Sequence, residues 1–157
     1  MNALPEQGRP IDSFSGEYRW LSNFYPSAVE LDRVVYASVE HAFQAAKTLD
    51  REERLTIQLS ASAGRAKRLG RKVKLRKDWE SVKVEVMRGL LRKKFADPDL
   101  GRMLLATGDS PLIEGNTWND CFWGVCGGVG KNWLGRLLME IRAEKRAAFA
   151  VTGANEE

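Results

Sequence analysis

The sequence predicts an α+β fold, a predominantly helical single domain with a small β element. Three observations lead there. Serine or aspartate stands directly before several stretches whose apolar residues recur at helical spacing, the pattern of capped amphipathic helices. One short stretch near the start alternates about a two-residue turn, as a hairpin does. No internal repeat, low-complexity run or Pro/Gly/Ser-rich linker divides the 157 residues, a length that suits one domain.

Taken in order, residues 1–12 read as a flexible arm, 13–148 as the domain and 149–157 as a flexible tail. The aromatic-rich segment Tyr18–Phe24 is expected as strand, and Val29–Tyr36 as a hairpin about Asp32-Arg33. Ser38 is placed to cap a helix from Val39 to about Thr48, with Val39, Ala42, Phe43 and Ala46 on its apolar face. Asp50 starts a second helix through Leu59, and Ser62 a third over Ala63 to about Gly70. Asp78 is expected to cap the longest helix, Trp79–Phe95. Its inward stripe is Trp79, Val82, Val86 and Leu90 with Met87, Leu91 and Phe95. Pro98 sits in the first turn of a helix reaching about Thr107. The last helix is expected from about Asn132 to Arg146, with Leu134, Leu137, Leu138 and Ile141 inward.

Composition narrows the function classes. A net charge of +4 admits a phosphate-bearing ligand or weak nucleic-acid contact and requires neither. His41 is the only histidine, and Cys121 and Cys126 are the only cysteines. A structural zinc takes about four ligands, so no metal site, no disulfide framework and no cofactor is expected. Free thiols fit a reducing, cytoplasmic setting. Met1–Pro10 is polar and is not expected to be a signal peptide. No apolar run approaches ~18 residues, so no membrane span is expected.

Four constellations could carry chemistry. On the helix after Ser38, Glu40, Gln44 and Lys47 fall at i, i+4 and i+7, a polar stripe roughly opposite Val39, Phe43 and Ala46. Spacing alone favours a solvated face. The nearby aromatic segment Trp20–Tyr25 favours a carboxylate tuned by desolvation. In Asn119-Asp120-Cys121-Phe122-Trp123-Gly124, turn formers surround two large aromatics. This suits a base-binding loop, or equally a turn whose aromatics plug the core. Gly127-Gly128-Val129-Gly130-Lys131-Asn132 precedes a helix and could cradle an anion on backbone amides. It is no P-loop, because Val125 stands where the first glycine should be and Asn132 replaces Ser/Thr. The segment Gly64–Lys72 carries five basic residues in nine, with Lys67 and Arg71 on one face. It reads as solvated charge or as a phosphate or nucleic-acid contact.

In order along the chain, these segments resemble the NADAR superfamily and its YbiA-like N-glycosidase branch. The residues that carry the resemblance are Leu21-Ser22-Asn23-Phe24, Ser38-Val39-Glu40-His41 with Gln44 and Lys47, and Ala66-Lys67 through Gly70-Arg71. It continues in Trp79-Glu80-Ser81-Val82-Lys83 with Val86-Met87, then Asn119-Asp120, Trp123-Gly124, and Gly130-Lys131-Asn132 leading into Leu134-Gly135 and Leu138-Met139. Each motif is weak alone; the ordered set, spanning about residues 14–142, is specific. Two departures stand out: Phe122 where tyrosine is common, and an apolar, cysteine-containing loop from Gly124 to Gly130.

The resemblance implies a mainly helical fold with a few short strands. It implies hydrolysis of an N-glycosidic bond without a metal. Two substrate types go with the family: phosphoribosylated intermediates early in riboflavin synthesis, and ADP-ribose attached to guanine. The expected partner is thus a small molecule containing ribose phosphate or ADP-ribose, or an ADP-ribosylated nucleic acid. Such cleavage passes through an oxocarbenium-like sugar, which carboxylates stabilise while they manage protons and water. Glu40 and Asp120 are the expected carboxylates. Lys47 and Lys67 are the ammonium candidates, for phosphate contact or for attack on an opened sugar. Trp79 and Trp123 are expected as walls, and Asn23 as the group orienting a ribose or base edge. Phe24, Gln44, Arg71, Gly130 and Asn132 complete the expected substrate contacts. Two other classes remain open on sequence: a non-catalytic ADP-ribose or nucleotide-binding module, and a basic helical nucleic-acid binder using Arg65–Arg76.

Overall fold

The computed structural model describes residues 8–154. The chain divides into two compact units: Leu21–Lys94, and the segments before and after it. Residues 1–7 of the expected arm and 155–157 of the expected tail lie outside the described residues.

In the Leu21–Lys94 unit, β1 (Val29–Leu31) and β2 (Val34–Tyr36) pair antiparallel, with Val29 opposite Tyr36 and Leu31 opposite Val34. Asp32 and Arg33 both have positive φ, 49° and 68°. That is the primed two-residue turn whose twist matches the strands. Three short helices follow: α1 (Val39–Ala46), α2 (Arg51–Gln58) and α3 (Ala63–Gly70). Each begins at the expected cap. The Ser38 side chain accepts from the His41 amide, Asp50 from Glu52 and Glu53, and Ser62 from Arg65. α1 packs against both α2 and α3 and is buried along its whole length. The polar stripe of Glu40 and Gln44 is therefore inside, not on a solvated face. The long helix α4 (Trp79–Phe95) buries Trp79, Met87, Leu90 and Leu91, while Val82 and Val86 are only half-buried.

The other unit contains α5 (Pro98–Ala106), short parallel strands β3 (Gly115–Asn116) and β4 (Val125–Cys126), and α6 (Trp133–Ala154). α5 packs against α6, whose Leu134, Leu137, Leu138 and Ile141 are buried. Ile11 is buried and forms a parallel bridge to Leu112, so part of the segment expected as an arm is packed into the fold. Arg142 is buried at the end of the apolar stripe. Its guanidinium donates to Thr107 Oγ1 at 2.9 Å and to the Ser110 carbonyl at 2.8 Å.

Several expectations are corrected. Tyr18–Phe24 is not a strand. Gly16–Leu21 forms a 3-10 helix, and Ser22–Tyr25 turns on its own serine, which accepts from the Phe24 and Tyr25 amides. Consecutive burial of Trp20 and Leu21 shows why strand alternation was never available. Asp78 does not cap α4 with its side chain; the carboxylate is held by the Arg76 guanidinium at 2.6 and 3.0 Å. The longest helix is α6, with 22 residues against 17 in α4. It continues past Arg146 to Ala154 on exposed sequence, alanine-rich as far as Ala150, where burial no longer guides the pattern.

Among the described residues, no helix is long and apolar enough to cross a membrane.

Candidate active site

Within the Leu21–Lys94 unit, the structure gathers most of the expected residues around the Glu40 carboxyl. The Ser38 cap sets the start of α1, and the Glu40 amide donates to the Asn23 carbonyl at 3.1 Å, tying the helix to the Ser22–Tyr25 turn. His41 is fixed beside it. Its Nδ1 lies 2.7 Å from Ser38 Oγ and its Nε2 3.2 Å from the Ser60 carbonyl. The Ser60 carbonyl can only accept, so Nε2 carries a proton, and the two contacts give His41 a bracing role between α1 and the end of α2.

Glu40 is only 7% exposed. Its Oε1 accepts a 2.7 Å hydrogen bond from Gln44 Nε2, one helical turn on. Burial pushes the carboxyl above the usual carboxylate range, while the Gln44 hydrogen bond and the charges of Lys67, Lys47 and His41 pull it back down. Lys47 shows the converse. Burial holds its ammonium below the usual lysine range, Glu40 opposes that, and Arg71, Lys67 and Lys83 reinforce it. An acid that resists ionising and an amine that resists protonation thus share one environment, the arrangement expected where protons are exchanged.

Aromatic surfaces frame this centre. Phe24 is 43% exposed, with Lys67 Nζ 5.9 Å above its ring, so a flat, cation-topped face is presented outward. Lys47 Nζ lies 6.0 Å from the Phe43 ring, which packs 5.1 Å from Trp79. Trp79 is almost wholly buried, so it supports Phe43 from behind and offers little face of its own. Two buried acceptors, Asn23 Oδ1 and Gln44 Oε1, have no hydrogen-bond partner among the described residues. The Asn23 amide nitrogen rests on Met87 Sδ at 3.5 Å, a weak acceptor. Arg71, just past α3, joins Arg65, Arg68, Leu69 and Lys72 in lining a depression of about 370 Å³. Among the described residues, no ion pair to an acid is formed by these four cations, whereas Arg54, Arg76, Arg88, Arg102 and Arg146 each hold a carboxylate.

Asp120, Trp123, Gly130 and Asn132 belong to the other unit, and there the loop is held by its own polar groups. Asp120 Oδ1 accepts from the Phe122 and Trp123 amides at 3.1 and 2.9 Å. Asn116, which the sequence reading missed, grips the same turn. It accepts from the Asp120 amide at 3.0 Å and donates to the Asp120 carbonyl at 2.8 Å. Phe122 and Trp123 stack edge-on with centroids 4.9 Å apart, and Phe122 also meets Trp133. Asp120 therefore has a structural task at Oδ1, whatever its other oxygen does.

At the helix start, the anion cradle expected at Gly127–Asn132 is filled by the chain itself. The amides of Lys131, Asn132, Trp133 and Leu134 already donate to the carbonyls of Cys121, Gly124, Phe122 and Trp123. These are the groups an anion would have used. Gly130 is required for another reason: a Cβ there would stand 2.1 Å from the Gly124 carbonyl oxygen, and its φ is +156°. Asn132 is likewise engaged. Its Oδ1 accepts from the Glu114 amide and its Nδ2 donates to the Leu112 carbonyl, at 3.0 and 2.9 Å. Both polar atoms of the Asn132 side chain are thus committed to the chain's own backbone. Among the described residues, no group of three or more His, Cys, Asp or Glu could hold a metal ion.

The chain belongs to the NADAR domain family, whose model matches residues 12–146. It is 45% identical over 136 residues to the N-glycosidase YbiA of Escherichia coli, covering 84% of each chain. The NMR structure of E. coli YbiA superimposes with a TM-score of 0.82, covering 92% of this chain and 89% of that one. The chain is also 40% identical over 129 residues to the riboflavin biosynthesis protein VVA0006 of Vibrio vulnificus. That match covers 80% of this chain and 35% of the other.

Proposed function

We propose that this chain is an N-glycosidase that hydrolyses the bond between a ribose-type sugar and a nitrogenous base, with Glu40 as the acid–base group. The observation that carries the proposal is the Glu40 carboxyl itself. It is nearly buried, hydrogen-bonded at one oxygen, raised in proton affinity, and accompanied by a lysine whose ammonium is weakened. The names of the relatives, N-glycosidase and riboflavin biosynthesis protein, agree with the same chemistry.

In this reading the protonated Glu40 delivers its proton to the departing ring or exocyclic nitrogen as the C1′–N bond breaks, the bonding pair leaving with nitrogen. The resulting carboxylate stabilises the cationic sugar, then takes a proton from the water that attacks C1′ and returns to its acid form. Phe24 supplies a stacking face, and Asn23 Oδ1 accepts from a sugar hydroxyl or a base amino group. Lys67, above Phe24, suits a phosphate. Lys47, with its lowered proton affinity, suits attack on an opened sugar aldehyde. Substrates of two types fit: a phosphoribosylaminopyrimidine, and ADP-ribose joined to guanine in a nucleotide or nucleic acid. The unbridged thiols of Cys121 and Cys126 fit a cytoplasmic enzyme.

The test is incubation with each substrate in the presence of EDTA, with product masses read afterwards. A free base and a free sugar whose masses together exceed the substrate by one water are expected from at least one substrate. Borohydride added during turnover should trap a sugar on Lys47 if the imine route is used. Tight binding without any cleavage would replace the enzyme by a nucleotide-binding module.

A further inference from the structure

Gly70 is the last residue of α3, in the middle of a well-formed unit, and its φ is not positive. Backbone geometry therefore does not demand glycine, and in a helix glycine is less favourable than alanine by about 1 kcal/mol. What glycine supplies is room. A Cβ at position 70 would stand 1.9 Å from Gln44 Oε1 and 2.7 Å from Gln44 Cδ. The Gln44 amide lies in the space a side chain would fill. In that seat its Oε1 is buried without a hydrogen-bond partner, a second unfavourable feature. The side-chain hydrogen bond of Gln44 is the one from Nε2 to Glu40 Oε1, at 2.7 Å. Two destabilising choices thus converge on holding one N–H against one carboxyl oxygen.

We propose that Gln44, seated on Gly70, is a positioning residue that reserves Oε1 of Glu40 as an acceptor and so makes Oε2 the oxygen that carries the exchangeable proton. The inference rests on the acid–base reading of Glu40 given above. When Glu40 is protonated, Oε1 accepts from Gln44 best as the carbonyl oxygen, the stronger acceptor of the two, so the proton favours Oε2. When Glu40 is ionised, the same N–H stabilises the charge. Proton delivery therefore has a fixed direction, and Glu40 an ionisation set partly by a neutral amide. The specific demand on residue 70 is the absence of a Cβ.

The experiment compares Gly70→Ala, Gln44→Ala, the double variant and Glu40→Gln. Readouts are the carboxyl ¹³C titration of Glu40 by NMR and the pH profiles of kcat and KM. The substrates are the phosphoribosylaminopyrimidine and an ADP-ribosylated guanine oligonucleotide. In Gly70→Ala and Gln44→Ala, the Glu40 titration and the limb of the profile that Glu40→Gln abolishes should both move to higher pH, because the charged form has lost its donor. Turnover should fall about ten- to a hundredfold, with KM changed much less. In the Gln44→Ala background, Gly70→Ala should add no further loss. There the nearest remaining obstacle is the residue-44 Cβ at 3.0 Å, which has to yield by only a few tenths of an ångström. An unmoved Glu40 titration in folded Gly70→Ala, or additive losses in the double variant, overturns the positioning role. Full activity in Glu40→Gln overturns the acid–base reading instead, and the NMR titration still reports on the Gly70–Gln44 contact.

Discussion

Replacing Glu40 by glutamine isolates the charge and proton of one buried carboxyl while nearly keeping its shape. A positioned acid–base or electrostatic group contributes about 100-fold or more to rate, so turnover should fall at least that far, about 2.7 kcal/mol of barrier. Glu40→Asp gives a geometric control. It retains the carboxylate but withdraws it by one carbon–carbon bond of ~1.5 Å, enough to take Oε1 out of reach of the Gln44 nitrogen now 2.7 Å away. A loss of about 10–100-fold is expected there too. Stability carries an independent sign. Burial raises the proton affinity of Glu40 in the folded chain above its unfolded value. The folded state therefore gains from this group at low pH and loses that gain as pH rises from the ordinary carboxylate range through the raised folded value. Glu40→Gln never ionises and escapes the loss. It should melt above the parent at pH 8, with the gap closing as pH falls toward ~4. Turnover by product mass and melting by calorimetry, both across pH, are the assays. A folded Glu40→Gln protein with parental turnover would falsify the catalytic assignment, and one that melts below the parent at pH 8 contradicts the desolvation argument.

Two further outcomes follow from the loop before α6. Gly130→Val forces a branched side chain against the Gly124 carbonyl. It should lower stability by about 1–3 kcal/mol, roughly 2–10 °C in Tm for a chain of this length. It should shift KM equally for phosphorylated and dephosphorylated substrates; a loss confined to the phosphorylated one would restore the anion cradle. Asp120→Asn keeps an acceptor for the Phe122 and Trp123 amides and should melt within about 2 °C of the parent. Asp120→Ala removes it and should cost about 1–3 kcal/mol. Equal melting of the two would show that the carboxylate does not hold the turn.

Local chemistry made much of this architecture legible. Ser38, Asp50 and Ser62 each announced a helix start, and Asp32-Arg33 a tight turn, because caps and primed turns are written in one or two residues. The site was legible as composition but not as environment. Glu40 and Gln44 have the spacing of a solvated face, and only the packing of α1 against α2 and α3 reveals that the face is inside. Gly70 belongs to a motif of the sequence, yet its meaning lies in a contact with a residue 26 positions earlier, which no local pattern contains. The glycine-rich segment shows the converse. Its sequence resembles an anion cradle, but the carbonyls that occupy the helix amides come from a turn whose shape depends on Asn116 and Asp120.

That occupation has a consequence for how this part of the molecule can be watched. The amides of residues 131–134 are closed by carbonyls of residues 121–124, not by water. Their hydrogen exchange is thus governed by opening of the Asp120–Trp123 turn. Four consecutive backbone positions form a built-in reporter. Any ligand that reshapes the turn must release them and speed their exchange, and any ligand that clamps it must slow all four together, even if it never touches the helix.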